Sequence, residues 1–411
     1  MPTFNFDRNI RFQLSYIKLN GHKSIEDLET KVEPGLNILI GKNGAGKSNF
    51  FEFLKMINRS LLSFDQLTFK SSELTFSGDD GSVLKYGIYK LNHRQVDEEA
   101  VLLPYRQLLE INNELVFDTT DENLATLQIF PKRRVSPRNM AGVFSRLKIN
   151  YPRTVHVGFG FPMKILGLSE PVTISIPFDM DELWNLEVSE VPLLDGAFDD
   201  LESYLQDELN EIENQQDYDE QYREILLTLN TEKLLKIAKL DETALESLKK
   251  FSPIQQVRIN RNLTFYNTDT HLVVDNLKLD FLVNDNWLPW SQLSDGTKRL
   301  FLIISEVSIK HNKLILIEEP ELGIHPHQFD LVMQFVKEQS TSNQIIISTH
   351  SPKALDILEE DELGKIMIAS YKKGEGTKIN HLNSDQIRKS TNYMNEVAYL
   401  SDYWLLSDLE S

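Results

Sequence analysis

The chain has 411 residues, no cysteine and a formal net charge of −19. The missing cysteines exclude disulfides and thiolate-bound zinc, and a charge of this sign does not indicate a general affinity for nucleic acid. No apolar run approaches membrane-spanning length, and the start, MPTFNFDRN, lacks the layout of a signal peptide. We therefore expect a protein of the reducing cytoplasm that does not enter a membrane.

The first motif in chain order is GKNGAGKS at 41–48, which fits the phosphate-binding pattern G-x-x-x-x-G-K-[ST]. An apolar run at 36–40 predicts a buried strand before it, and residues 49–55 predict a helix after it. Converging backbone N–H groups and a helix N-terminus favour an anion at such a loop. We predict that Lys47 reaches the β- and γ-phosphates of ATP and that the Ser48 hydroxyl ligates Mg²⁺. The predicted nucleotide-binding residues of the loop are Gly41, Lys42, Asn43, Gly44, Ala45, Gly46, Lys47, Ser48 and Asn49.

The chain after this loop is predicted to be rich in β-strands. Residues 73–77 and 83–90 predict two strands around a turn at 78–81. Residues 107–117 predict a second hairpin, with Asn112 and Asn113 in its turn. Together these strands indicate an antiparallel lobe.

The charges are distributed unevenly along the chain. Residues 179–246 hold 21 Asp and Glu against 4 Lys and Arg, whereas residues 131–153 hold seven Lys and Arg and no acid. The basic stretch 131–153 is either a contact for a nucleic-acid backbone or a solvated face that pairs with the acidic segment. Aromatic residues are not interleaved with its charges as a base-stacking surface requires, which favours the second interpretation.

The acidic segment at 196–250 is helical by pattern. Leu201, Leu205, Leu209 and Ile212 follow a spacing of three to four residues. A second helix is predicted through the leucines between 226 and 235. The heptads are not sustained, so a short helical hairpin or lid is expected rather than a coiled-coil arm.

The segment LSDGT at 293–297 precedes a helical pattern at 298–304. Ser294 is a suitable N-cap for that helix, and Gly296 allows a close backbone approach. Two interpretations are open. The segment is simply a capped helix start, or it places Ser294 and Gly296 against the γ-phosphate of an ATP held by a second subunit.

An apolar run at 313–317 ends in Glu318 and Glu319, as a buried parallel strand with an acidic end does. Ligand sites of open α/β sheets lie at the carboxyl ends of strands. We predict that Glu318 holds Mg²⁺ through water and that Glu319 orients and deprotonates the attacking water. The run at 344–349 predicts the next strand, whose end places His350 near the γ-phosphate. The loop at 321–326 is expected to cross a dimer interface.

These segments resemble the ABC-type ATPase class that includes SMC proteins, RecF and the OLD-family ATPases. The segments EEPELGIHP at 318–326 and STHSP at 348–352 resemble the OLD-like branch most. Residues 16–24 resemble the "N-F-K-S-F" start of the class. The likeness covers roughly 1–58 and 255–411. It implies a glutamine loop, for which Gln95 and Gln128 are candidates. Many OLD-family proteins carry a Toprim nuclease domain, which the 61 residues after His350, without D-x-D, do not accommodate.

The resemblance implies an α/β fold: an ABC-type P-loop ATPase head with a mixed core sheet, an antiparallel β-lobe and a helical insertion. We divide it into residues 1–180 with the P-loop, a helical insertion or lid at 181–252, and residues 253–411 with the signature and the acidic strand. It also implies a head-to-tail homodimer or higher oligomer around two ATP–Mg²⁺. Each site takes Lys47, Ser48, Glu318, Glu319 and His350 from one chain and Ser294 and Gly296 from the other.

Three classes of function remain open at the level of sequence. The chain is the sensor or scaffold of a multi-gene antiphage defence system that restrains a separately encoded effector, since any nuclease or toxin activity then comes from another chain. Alternatively, it is a DNA-repair ATPase of the RecF or SMC kind, for which the basic stretch 131–153 is the main support. The third class, a transporter energiser, is disfavoured by the long chain between Lys47 and Ser294.

Overall fold

A computed structural model describes residues 10–59, 67–91, 105–120, 153–157, 171–179, 203–205, 207–208, 218–238, 240–308, 310–397 and 399–407. The chain divides into two compact units. The first comprises residues 1–158, 311–321 and 336–411, and the second comprises residues 159–310 and 322–335. None of the helices in the described ranges combines the length and apolar character that crossing a membrane demands.

The core of the first unit is a six-stranded sheet in the order β18-β17-β3-β16-β15-β8. Its strands are β3 (Leu36–Ile40), β8 (Arg153–Val157), β15 (Lys313–Glu318), β16 (Gln344–Thr349), β17 (Ile366–Lys372) and β18 (Gly376–His381). All neighbours pair in parallel except β18, which runs antiparallel to β17. The predicted mixed sheet is therefore confirmed. Every residue of β3 and β16 is buried, as continuous apolar strands covered on both faces require.

The second sheet of this unit is the predicted antiparallel lobe, in the order β2-β1-β4-β5-β6-β7. Its strands are β1 (Phe12–His22), β2 (Ile25–Lys31), β4 (Ser71–Gly78), β5 (Val83–Lys90), β6 (Tyr105–Ile111) and β7 (Glu114–Asp118). Asn112 and Asn113 form the predicted turn, with φ of 51° and 66°, in the left-handed region that asparagine tolerates best after glycine.

Helices complete the first unit. Helix α1 (Lys47–Arg59) follows β3, and near the C-terminus of the chain lie α7 (Ser384–Glu396) and α8 (Leu400–Leu406). Short 3₁₀ segments occupy Pro352–Ile357 and Glu360–Lys365. Buried apolar side chains from both sheets and from α1, among them Leu39, Phe50, Phe53 and Leu74, form one continuous hydrophobic core.

The second unit contains two small antiparallel sheets, ordered β10-β13-β14 and β11-β12-β9. Their strands are β9 (Val172–Pro177), β10 (Ile254–Ile259), β11 (Thr264–Asn267), β12 (His271–Leu277), β13 (Leu279–Val283) and β14 (Asn286–Pro289). The helices are α2 (Tyr218–Leu227), α3 (Thr231–Ile237), α4 (Glu242–Phe251) and α5 (Asp295–Ser308). Helix α6 (Pro326–Gln339) begins in this unit and ends in the first.

The acidic helical segment differs from its prediction. The leucines between 226 and 235 were expected to lie on one helix, but α2 ends at Leu227 and α3 begins at Thr231. Asn230 causes the break, because its side chain accepts a hydrogen bond from the Lys233 N–H and caps α3. The basic residues 131–152, Leu201, Leu209, Ile212 and the glutamine candidates Gln95 and Gln128 lie outside the described residues. The division at 1–180, 181–252 and 253–411 stays a prediction.

Candidate functional site

The phosphate-binding pattern forms a tight loop between β3 and α1. The Ala45 N–H donates to the Lys42 carbonyl at 3.1 Å, and the Phe50 N–H donates to the Gly46 carbonyl at 3.0 Å, which starts the helix. Helix α1 has no acidic residue in its first turn. Its partial positive charge is therefore not offset by its own side chains, and the loop is suited to an anion.

Two glycines of the loop are required by packing. A Cβ on Gly41 would lie 2.2 Å from the Ala369 carbonyl oxygen of β17, and a Cβ on Gly46 would lie 2.1 Å from the Thr377 hydroxyl oxygen of β18. Gly46 also has a φ of 95°, which disfavours any other residue. The core sheet thus packs closely against both ends of the loop. Lys42, Asn43 and Gly44, which lie between these two ends, are exposed.

Lys47 connects the loop to the predicted histidine. Its side chain is buried, and its ammonium donates to the Gly41 carbonyl at 2.7 Å. The same Nζ lies 3.0 Å from Nε2 and 3.1 Å from Nδ1 of His350. The Nε2 atom of His350 in turn lies 3.1 Å from Oε1 of Glu319. The three residues predicted to be catalytic, which are distant in sequence, are therefore linked within the first unit, with His350 in contact with both Lys47 and Glu319.

The two acidic residues at the end of β15 take different positions. Glu318 is the last residue of the strand and pairs with Ser348 of β16. Glu319 has left the strand, with a φ of 46°, and its N–H donates to the Ser348 carbonyl at 2.7 Å. This left-handed backbone, rather than the alternation of a strand, separates the two side chains. Such conformations cost about 1–3 kcal/mol and concentrate at functional sites.

A chain of hydrogen bonds that the sequence motifs did not predict joins the start of α1 to the β1–β2 turn and to β18. Asn49 of α1 donates to the Ser24 hydroxyl at 2.6 Å, and that hydroxyl lies 2.8 Å from the Thr377 hydroxyl. The Thr377 N–H also donates to the Ser24 carbonyl at 2.7 Å. Ser24 belongs to the opening segment that resembles the ATPase class, which was the one available signal. Thr377 carried none.

Ser294 and Gly296 lie in the second unit. Ser294 caps α5 as predicted, because its hydroxyl accepts from the Thr297 N–H at 3.2 Å, and the residue is exposed. Gly296 is buried, and a Cβ there would lie 2.7 Å from the Gly323 carbonyl oxygen. The close backbone approach expected at Gly296 is therefore made to the chain itself. His325 and His327, beyond Gly323, stack with ring centroids 5.9 Å apart.

The oxygen donors near the loop fit a magnesium ion. Ser48 is exposed in the first turn of α1, and Glu318 is half-buried at the end of β15. Hydroxyl and carboxylate oxygens suit Mg²⁺, which binds proteins through few side chains and completes its shell with water and phosphate oxygens. In the described part of the chain, no group of three His, Asp or Glu side chains could hold a metal by itself. An ion here would need the nucleotide as a further ligand.

A comparison with protein families matches residues 189–356 to the family described as "AAA domain, putative AbiEii toxin, Type IV TA system". The match spans the segments that carry Ser294, Glu319 and His350. Among curated proteins, the chain is 21% identical over 413 residues to "Retron Vc95 probable ATPase" of Vibrio cholerae serotype O1 biovar El Tor. That alignment covers 89% of this chain and 75% of the relative.

Among solved structures, three SMC heads are similar to this chain. One is the Smc head domain with an extended coiled coil bound to the C-terminal domain of ScpA from Pyrococcus furiosus, with a TM-score of 0.48, 14% identity and coverage of 94% of this chain and 100% of that one. A second SMC head, bound to the C-winged helix domain of ScpA, gives 0.45 at 14% identity, covering 90% and 98%. The head from Thermotoga maritima gives 0.42 at 12% identity, covering 90% and 99%.

The assembled site and the matched AAA domain lead to the same conclusion. The phosphate-binding loop follows the central parallel strand β3, and the acidic end of β15 and the histidine after β16 lie at the same edge of the sheet. This is the arrangement in which a P-loop enzyme binds and hydrolyses a nucleoside triphosphate. The chain is an ATPase of the P-loop class with an α/β fold that combines a mixed core sheet and an antiparallel β-lobe.

Proposed function

We propose that the chain is an ABC-type ATPase of the OLD-like branch that dimerises around ATP and hydrolyses it in composite sites. The observation that carries this proposal is the contact of Lys47, His350 and Glu319, with His350 Nε2 3.0 Å from the lysine and 3.1 Å from the carboxylate. A cation for the phosphates, a general base and a polar group between them are the parts that phosphoryl transfer to water requires.

Each residue has a distinct proposed task. Gly41–Asn49 enclose the phosphates with backbone N–H groups, and Lys47 neutralises charge on the β- and γ-phosphates. Ser48 and Glu318 hold Mg²⁺, which neutralises charge on the phosphates when bound. Glu319 accepts a proton from the attacking water. At the same time the water oxygen bonds to the γ-phosphorus, and the bond between the γ-phosphorus and the β–γ bridging oxygen breaks. His350 contacts the γ-phosphate.

The site is completed in this proposal by a second copy of the chain. Ser294 is exposed at the start of α5, where the N-terminal N–H groups of the helix favour an anion. Asp295 in the first turn offsets part of this positive charge. We place the partner's γ-phosphate there, beside Gly296, with the loop at 321–326 at the interface. Two ATP molecules are then buried between two heads, and their hydrolysis releases the pair.

Mixed dimers test this arrangement. Ser294→Arg should spare nucleotide binding to the P-loop but abolish turnover, and Lys47→Ala should abolish turnover through the other half of the site. A mixture of the two variants should recover part of the activity, because one site of a mixed pair has both halves intact. Ser291→Arg, a change at a nearby exposed position, is the matched control. If both variants fold and associate but no ratio restores hydrolysis, composite sites are wrong.

We further propose that this cytoplasmic ATPase is the sensor or scaffold of a multi-gene antiphage defence system and controls a separate effector. The support comes from two comparisons: the relative carries the name "Retron Vc95 probable ATPase", and the description of the matched family names an AbiEii toxin and a type IV TA system. Both descriptions suggest a chain that works with other components. The ATP-dependent association of two heads supplies two states that an effector can distinguish.

Neighbouring genes provide the test of this role. Phage protection should require the chain with an intact Lys47 and at least one adjacent gene, whose product co-purifies with the chain. The purified chain alone should cleave neither DNA nor RNA. Protection by the chain alone, or nuclease activity that survives Lys47→Ala, would contradict the proposal. Co-purification of DNA alone, lost when the basic residues of 131–153 are neutralised, would favour the DNA-repair alternative.

A further inference from the structure

Glu321 bonds directly to the strand end that carries His350. A single carboxylate oxygen, Oε1, accepts a hydrogen bond from the Thr349 hydroxyl at 2.7 Å and another from the His350 backbone N–H at 2.8 Å. Thr349 is fully buried, and its hydroxyl also accepts from the Ser351 N–H at 2.9 Å. The peptide groups on both sides of His350 are therefore held by Glu321, directly or through Thr349.

These bonds lie where the sheet no longer fixes the chain. Strand β16 ends at Thr349, so the ladder that orients residues 344–349 does not include His350. Farther back, the Glu319 N–H donates to the Ser348 carbonyl at 2.7 Å. The segment after β15 is thus bonded to the end of β16 at three points, two of which are made by Glu321. Together they fix the backbone at His350, whose ring lies between Lys47 and Glu319.

We propose that Glu321 is a positioning residue of the ATPase site, which acts by holding His350 and does not touch ATP. The inference rests on the proposed role of His350 at the γ-phosphate. Both bonds use the same oxygen, so the geometry needs an acceptor and not a charge. The other oxygen, Oε2, is buried and has no hydrogen-bond partner within the described residues. Burying such an atom is costly for stability, which favours a functional reason for this side chain.

A comparison of Glu321→Gln with Glu321→Ala tests whether the site needs only a hydrogen-bond acceptor at position 321. The amide oxygen of Glu321→Gln can accept from Thr349 and His350 as the carboxylate does, whereas Glu321→Ala removes the acceptor. We expect Glu321→Ala to lower kcat about tenfold to a hundredfold, since small misplacements of a catalytic group have effects of this size. The KM for ATP and the affinity for a fluorescent ADP analogue should change less than about threefold, because the P-loop is intact. Glu321→Gln should stay within about threefold of wild type in kcat.

A double mutant tests whether Glu321 acts through His350. If it does, Glu321→Ala combined with His350→Ala should be no slower than His350→Ala alone, because there is no longer a ring to position. Multiplicative effects would mean that Glu321 acts independently and would overturn the inference. Equal losses in Glu321→Gln and Glu321→Ala would also overturn it, because the charge itself would then be required.

The remaining outcomes separate this inference from the proposed function. Wild-type turnover in His350→Ala would show that His350 is not part of the site and would contradict both proposals. If His350→Ala is impaired but Glu321→Ala is not, only the proposed role of Glu321 is contradicted. If Glu321→Ala does not fold, Thr349→Val provides the same test, since it removes one of the two donors at constant size. It should lower kcat, and Thr349→Ser should restore it. Equal kcat in wild type and Thr349→Val would contradict the inference.

Discussion

Thr377 packs against Gly46 so closely that a Cβ on the glycine would lie 2.1 Å from the Thr377 hydroxyl oxygen. Gly46 is in the phosphate-binding loop and Thr377 is in the edge strand β18. The same hydroxyl lies 2.8 Å from that of Ser24, which accepts a hydrogen bond from Asn49. The edge of the core sheet is therefore in direct contact with the start of the nucleotide-binding helix.

The first prediction concerns this contact. Gly46→Ala should destabilise the fold by about 2–4 kcal/mol, because it adds a clash to a φ of 95°. Thr377→Ala removes the two nearest side-chain atoms and should relieve part of the clash in the double mutant. Chemical denaturation of the four proteins of the cycle measures the coupling, which we expect to be about 1–2 kcal/mol. Strictly additive effects would mean that the two residues do not contact each other.

The second prediction concerns the proposed general base. Glu319→Gln should bind ATP but hydrolyse it at least ~100-fold more slowly, since an amide cannot accept the proton of water. It should accumulate as an ATP-bound, associated species. Turnover assays and light scattering with ATP measure both effects, with Glu114→Gln at an exposed position as the control. Unchanged turnover would remove Glu319 from the site.

The third prediction concerns the metal. The chain without nucleotide should bind Mn²⁺ weakly, because the described residues include no group of three ligands able to hold an ion. Addition of ADP or ATP should produce binding beyond that of the nucleotide alone, measured by the loss of the free Mn²⁺ signal in electron paramagnetic resonance. Ser48→Ala should weaken this nucleotide-dependent binding about tenfold, a loss typical of altered metal coordination, and Ser77→Ala should not. Tight Mn²⁺ binding without nucleotide would point to a different site.

Much of the site could be predicted from sequence because its parts are local. The apolar runs of β3, β15 and β16 predict buried strands by themselves, and the residues that follow them necessarily meet at one edge of a parallel sheet. The contact between Ser24 and Thr377 could not be predicted, since it joins residues 353 positions apart. The tight turn between β17 and β18 is a local feature, but no local feature brings Ser24 to β18. The left-handed φ of Glu319 is likewise set by its hydrogen bond to Ser348 and not by its own preference.

The fourth prediction concerns Gln344, which joins the two sheets of the first unit. Its side-chain oxygen accepts from the Leu14 N–H at 2.9 Å, and its amide donates to the carbonyls of Leu14 at 2.7 Å and Glu33 at 3.0 Å. Strand β2 pairs with β1 only from Tyr16 onward, so the buried Gln344 side chain replaces the missing strand at Leu14.

Gln344→Leu should therefore leave the N–H and the carbonyl of Leu14 without partners, whereas the Glu33 carbonyl keeps its hydrogen bond from the Asn37 side chain at 2.7 Å. The free energy of unfolding should fall by about 2–4 kcal/mol. Gln256→Leu, at an exposed position of β10, is the matched control and should stay within about 0.5 kcal/mol of wild type. Denaturant titration compares them. Equal stabilities for the two variants would show that the hydrogen bonds of Gln344 contribute nothing net.

The last prediction concerns the pH dependence of stability and His22. This side chain is fully buried at the end of β1, with Nδ1 2.9 Å from the Thr68 hydroxyl and Nε2 3.1 Å from the Asn49 carbonyl. A carbonyl can only accept, so Nε2 carries the proton of the neutral ring and Nδ1 accepts from Thr68. Burial is the largest influence and lowers the pKa of His22; nearby Glu52 and the Asn49 carbonyl raise it by less, and Lys23 lowers it further.

The sign of the effect follows from this lowered pKa. Below the pKa of an unfolded histidine, about 6.5, the unfolded chain binds a proton at His22 that the folded chain does not. The free energy of unfolding should therefore be fully retained above pH 6.5 and decrease as the pH falls toward the lowered pKa of the folded state. Between pH 7.5 and 5.5, wild type should lose about 1 kcal/mol more than His22→Gln, whose amide can still donate to Asn49 but does not titrate. Urea titrations at both pH values measure the difference, and His311→Gln at an exposed position should behave as wild type. If His22→Gln loses as much stability on acidification as wild type does, the buried imidazole is not the group that titrates.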